Sequence, residues 1–225
     1  MGAPSTFAGV DAAVVEFADS LNEVRQNLYY CDANFRQARL KDVRSNIHAA
    51  SYVYVAAAVE KFINSALSAV IDEINSASIH YCDLRISLFA MIESNRLESL
   101  QQVRGLKMWK RRREVFSSLH EPSACQMSIE DLPLDGRTIR LDHLETIWEV
   151  FGFPGSSIPS PLHALALRDL ADARNKIAHG EERASVVAGG KSITDTLRLY
   201  GKVEEVITHF WDASTDYLSS QSYRR

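Results

Sequence analysis

Between residues 7 and 30 the apolar side chains Val10, Val14, Phe17, Leu21, Val24 and Leu28 recur at steps of three and four, with polar residues between them. That period predicts an amphipathic helix. A longer stretch, from about 42 to 74, shows the same period at Ile47, Phe62, Ala66 and Val70, flanking the run YVYVAAAV. Alone, that run also fits a buried strand. Its three alanines, the lack of Gly or Pro and the periodic flanks favour a helix at the centre of the core.

Further helices are predicted over 83–103 and 106–119. The next twenty residues, EPSACQMSIEDLPLDGRTIR, hold Pro122, Pro133 and an Asp135-Gly136 turn signal, so an irregular connection is expected near 120–140. Asp142 and Glu145 form a capping-box pattern before LETIWEVF, and Gly152 is placed to stop that helix. Ser160 followed by Pro161 reads as an N-cap and first helical residue, opening a helix to His179 with Gly180 at the C′ position beyond it. Gly189 and Gly190 suggest a loop. Ser192 and Asp195 then suggest a second capping box before a closing helix, about 193–219, carrying Leu197, Val203, Ile207, Phe210 and Trp211. Strand-like alternation and internal repeats are missing. The expected class is all-α, a helical bundle forming one domain over 1–225.

Composition changes this picture little. At 46% hydrophobic and 24% charged, 225 residues suffice for an ordinary core. The net charge of −4 gives no overall basic field, so a nucleic-acid partner would need a local patch. Cys31, Cys82 and Cys125 are scattered, without a C-x-x-C pair, and read as buried free thiols rather than a disulfide framework or zinc site. The N-terminus lacks the basic start of a signal peptide, and the uncharged apolar run at 49–59 is shorter than the roughly 20 residues of a membrane span. A cytoplasmic protein without a membrane partner is expected.

Two stretches suggest chemistry on first sight. SVVAGGKS, 185–192, nearly matches a phosphate-binding P-loop, but Ser185 replaces the first glycine and no strand precedes it, so the NTPase reading fails. KMWKRRRE, 107–114, gathers Lys107, Lys110, Arg111, Arg112 and Arg113 around Trp109. It reads either as RNA-backbone contacts with a stacking indole, or as a solvated face with Trp109 turned into the core. His48, His80, His120, His143, His163 and His209 show no paired spacing and are expected at the surface or the edge of the core.

A third stretch is ARNKIAHGEE, 173–182, where a helix end collects Arg174, Asn175, Lys176 and His179. Asn175 and His179, four apart, share a face, while Arg174 is about 140° around the helix from His179 and long enough to swing toward it. The negative helix end and Glu181 and Glu182 favour a protonated His179. A histidine beside a guanidinium suits phosphodiester chemistry, one moving protons and the other stabilising phosphate charge. The competing reading is a helix cap with a surface arginine.

The stretch LRDLADARNKIAHGE, 167–181, resembles the signature helix of the HEPN superfamily, whose R-x4-6-H motif often continues as R-N-x-x-A-H-G; the match is Arg174, Asn175, Ala178, His179 and Gly180. SYVYVAAAVEKFINSAL, 51–67, is similar to an early apolar helix of bacterial HEPN families in which a glutamate, here Glu60, follows the run. The resemblance implies a metal-independent endoribonuclease, without a cofactor, in a toxin–antitoxin or phage-defence setting. It further implies a homodimer with two motifs facing a shared cleft, Leu170 and Ile177 fixing the motif helix from behind, and a controlling antitoxin or modifying partner. His179 would be the general base or acid and Arg174 the phosphate ligand. Asn175 would orient His179 or a phosphate oxygen, and Glu60 would be a supporting partner. The alternative is a non-catalytic module that binds RNA, a nucleotide or a protein.

Overall fold

Phe17 meets Phe62 edge-on, and Phe62 meets Phe210 in the same way, so three distant segments are tied through one aromatic column. In the computed structural model, which describes residues 7–120, 123–132, 134, 138–189 and 191–225, these rings belong to helices α1 (Ala8–Asn34), α2 (Lys41–Ser76) and α9 (Ile193–Ser219). A fourth long helix, α7 (Pro161–Ala178), completes the bundle. Between them in chain order lie α3 (Ile86–Ile92), α4 (Ser94–Ser99), α5 (Leu106–Ser118), α6 (Leu141–Phe151) and α8 (Ala184–Gly189). No strand occurs among the described residues, only two isolated bridges. The molecule is all-α, as its periodicity predicts.

Cross-contacts fix the directions. Lys61 pairs with Glu16, and Cys31 Sγ lies against the Arg44 carbonyl, so α1 is antiparallel to α2. His48 bonds Thr196 and Ser51 bonds Tyr200, while Phe62 meets Phe210 further along, so α9 runs parallel to α2. His163 pairs with Glu205 and Lys191 with Asp169, so α7 is antiparallel to both. Residues 38–76 are apolar enough in composition to cross a membrane, contrary to the shortness of the uncharged run. Their apolar face is instead core: Tyr52, Val55, Phe62, Ile63, Leu67 and Ile74 are almost wholly enclosed by the bundle. Burying such a side chain contributes about 1.5–3 kcal/mol, which this face uses to hold the other helices.

The single helix expected over 83–103 is broken. Arg85 donates its N–H to the Tyr223 carbonyl, and Arg225 donates its N–H to Asp83, so this backbone pairs with the chain's last residues. Short turns at Tyr81–Asp83 and Leu100–Gln102 flank α3 and α4. Long-range backbone pairing overrides the local period. The start of α6 also differs from expectation. Its N-cap is Arg140, whose N–H is accepted by His143 Nδ1, while the Asp142 carboxylate takes the adjacent His143 N–H. Gly152 does end the helix, at φ 72°, with the Arg85 guanidinium where a Cβ would stand. Ser160 occupies the N-cap of α7 but turns its hydroxyl to His163. Ser192 Oγ caps Asp195 as expected, and the carboxylate takes the serine hydroxyl rather than completing the box. Helix α8 was not predicted; six residues are too few to show a period. Pro122, Pro133, Asp135, Gly136 and Gly190 lie outside the described residues. Cys31 and Cys125 are buried, but Cys82 is exposed.

Candidate functional site

The end of α7 is built by its C-cap. His179 is the C-cap residue and Gly180, at φ 67°, turns left-handed beyond it. Glu181 N–H reaches the Lys176 carbonyl and Gly180 N–H the Ile177 carbonyl, the paired closure of a Schellman motif. A side chain at Gly180 would be strained in that conformation. This stop presents His179 at the tip of the helix, exposed, with no side-chain hydrogen bond among the described residues. Behind it Leu170 is buried and Ile177 packs partly buried against the core.

Arg174 is half-buried and held. Its Nη1 donates to Asn175 Oδ1 at 3.2 Å, and the same oxygen accepts from Thr138 Oγ1 at 3.3 Å. Asn175, expected to orient His179 or a phosphate oxygen, has its carboxamide oxygen on Arg174 and Thr138. The cause is the extended segment 138–140, which lies along α7 and brings in Thr138, only 5% exposed. Two residues further, Arg140 pairs with Asp172 at 2.8 Å. Lys176 pairs with Glu182 at 2.7 Å. The flanking charges are thus matched, whereas Arg174 has no carboxylate partner among the described residues and keeps its charge available. Thr138 and Arg140 were invisible in the sequence, because nothing local links them to a motif more than thirty residues later.

Glu60 does not join this group. Tyr52 faces Asp169 and Ala173 across a shared cleft. Glu60 lies eight residues beyond Tyr52 along α2, about 12 Å, while His179 lies six residues beyond Ala173 in the antiparallel helix, about 9 Å the other way. The two are separated by about 20 Å along the bundle axis. One Glu60 carboxylate oxygen is enclosed without a hydrogen-bond partner among the described residues.

The basic stretch forms α5, and only Val115 and Ser118 of that helix are buried. Lys107, Lys110, Arg111 and Arg113 are exposed. Trp109 is not turned into the core: it is 64% exposed, with the Arg112 guanidinium 5.1 Å from its ring centroid. Arg111 also bonds Ser99, and a cleft beside it is lined by Arg96, Ser99, Arg111 and Arg113. Exposed Leu106 and Phe116 complete a helix that is cationic and aromatic on its open side. Of the other histidines, His48 and His163 prove to be buried. No group of three or more His, Cys, Asp or Glu with metal-holding geometry occurs among the described residues.

The family model described as RiboL-PSP-HEPN matches residues 15–215. No curated protein and no solved structure matches the chain.

Proposed function

Because the chain belongs to the RiboL-PSP-HEPN family, which covers it from 15 to 215, we propose that it is an endoribonuclease cutting single-stranded or loop RNA without a metal. The observation that carries this reading is the pair at the end of α7: an arginine fixed by Asn175 and a histidine at the tip, neither with a carboxylate partner among the described residues. In the reaction the ribose 2′-oxygen attacks the adjacent phosphorus and loses its proton to a general base. The bond from phosphorus to the 5′-oxygen breaks, and a general acid protonates the leaving oxygen, giving a 2′,3′-cyclic phosphate. His179 serves as one of these groups, and Arg174 stabilises the charge on the non-bridging oxygens. Attack by the 2′-OH makes RNA the substrate.

One histidine is few for a base and an acid. A homodimer about a two-fold axis brings a second His179 and Arg174 to the same phosphate, and such dimers are the commonest oligomers. Lys107, Lys110, Arg111, Arg112 and Arg113 hold the RNA backbone, with Trp109 offering a face to a base. A toxin–antitoxin or phage-defence setting, under an antitoxin or modifying partner, suits such an activity.

The test is cleavage of a labelled RNA in EDTA. His179→Ala and Arg174→Ala should each lower the rate by about a hundredfold or more, with helical content retained. Arg174→Lys should also fail largely, since a point charge replaces a planar fork. Binding without any cleavage by the unaltered protein would instead assign a non-catalytic RNA-binding module.

A further inference from the structure

At the same end of the bundle as His179, across α8, a cleft of about 250 Å³ opens between the first turns of α2 and the α8–α9 connection. Lys41 and Arg44 line it from α2, Lys191 and Ser192 from the connection, and Asp32 from the end of α1. Lys191 is engaged with Asp169 and Asp32 with Arg36. Lys41 and Arg44 have no ion pair among the described residues. Because α2 and α9 run parallel, both of these long helices present their N-terminal ends here. The N–H groups of Ile193 and Thr194 lie outside the α9 hydrogen-bond ladder, at the positive end of a 27-residue helix.

His48 supplies a further, independent donor. It is 5% exposed and lines the cleft. Its Nε2 lies 2.6 Å from Thr196 Oγ1, which also lies 2.8 Å from the Tyr52 hydroxyl. If His48 Nε2 donated, one of the two buried hydroxyl protons, that of Thr196 or that of Tyr52, would be left without an acceptor among the described residues, at a cost of about 1–3 kcal/mol. The satisfied chain runs the other way: Tyr52 donates to Thr196, and Thr196 donates to His48 Nε2. The ring proton then sits on Nδ1. That nitrogen has no partner among the described residues and is not one of the fully enclosed orphan atoms, so it opens on the cleft. Burial, and secondarily the Arg44 charge, lowers the His48 pKa and keeps the ring neutral. A neutral ring in this tautomer still donates.

We propose that this cleft binds a phosphate group, with Lys41 and Arg44 supplying charge and His48 Nδ1–H and the α9 N-terminal N–H groups supplying directed donors. Lys191 and Ser192 thus contribute to phosphate recognition without a P-loop, since they form one wall of a helix-built cleft. The phosphate belongs either to a free mononucleotide or to an RNA chain that continues past α8.

The experiment compares the full chain with a Lys41→Gln/Arg44→Gln variant, both changes being near the surface. Inorganic phosphate at millimolar concentration should raise the Tm of the unaltered protein, adenosine should not, and the variant should bind phosphate about tenfold or more weakly; 5′-AMP is titrated alongside to identify the source. A short single-stranded RNA, titrated in a His179→Ala background, separates the sources. Weakened RNA binding with no response to AMP assigns an RNA phosphate; an AMP response with unchanged RNA binding assigns a free nucleotide. A nitrogen-15 spectrum of the imidazoles should show His48 protonated at Nδ1 and shifted by phosphate. Equal responses of both proteins to all three phosphate probes, or an Nε2-protonated His48, would overturn the proposal. These readouts need no cleavage, so they fail or succeed separately from the ribonuclease reading.

Discussion

At the scale of single residues, the motif is held by a contact that spacing could not reveal. Asn175 Oδ1 accepts from both Arg174 and Thr138, so a buried hydroxyl on an extended segment sets where the guanidinium points. Thr138→Val keeps the shape and removes the donor. It should reduce RNA cleavage about three- to tenfold, as expected for one net hydrogen bond, while lowering the thermal midpoint by only about 2–4 °C. Cleavage equal to the unaltered protein would mean that Asn175 holds Arg174 without help. Arg174, Asn175 and His179 were legible because they sit within about one and a half helical turns of each other and carry unusual chemistry for a helix end. Thr138 and Arg140 were not, since only folding brings them to α7. Glu60 misled for the opposite reason. It follows an apolar run of the right character, but its helix carries it along the bundle away from the motif.

At the scale of elements, α1, α2, α7 and α9 were readable because each repeats its apolar face over many turns, and α7 and α9 carry recognisable caps. The start of the region 81–102 was not readable, because the backbone of residues 83–85 pairs with residues 223–225, and α8 was too short to show a period. Helix α5 was readable as a helix but ambiguous in role. Its near-complete exposure resolves the position of Trp109 and leaves five cations facing solvent or half-exposed. If these contact RNA, replacing Lys107, Lys110 and Arg113 by Gln should reduce the slope of log affinity against log salt by about 2, at roughly 0.7 per single-strand phosphate contact. The fold should be indifferent, because only Val115 and Ser118 anchor the helix. An unchanged slope would return α5 to the role of a solvated face.

For the whole molecule, the proposed ribonuclease chemistry turns on the proposed dimer. A composite site from two copies of α7 predicts complementation: mixing Arg174→Ala chains with His179→Ala chains should restore part of the activity that each lacks. No restoration after subunit exchange would mean that each protomer carries a complete site, and full activity from a monomer would remove the need for a partner copy. The distribution of indoles across the molecule offers a way to watch such events. Trp148 is enclosed, stacked on His209 and edge-on to Phe210, and Trp211 is partly buried with its N–H on Asp11. Trp109 alone stands largely in solvent, on the helix proposed to contact RNA. The protein therefore carries its own fluorescent reporter. Iodide should quench the red edge of its emission, a stacked base should quench and shield the same indole, and Trp109→Phe should erase both signals while the emission of the enclosed tryptophans persists.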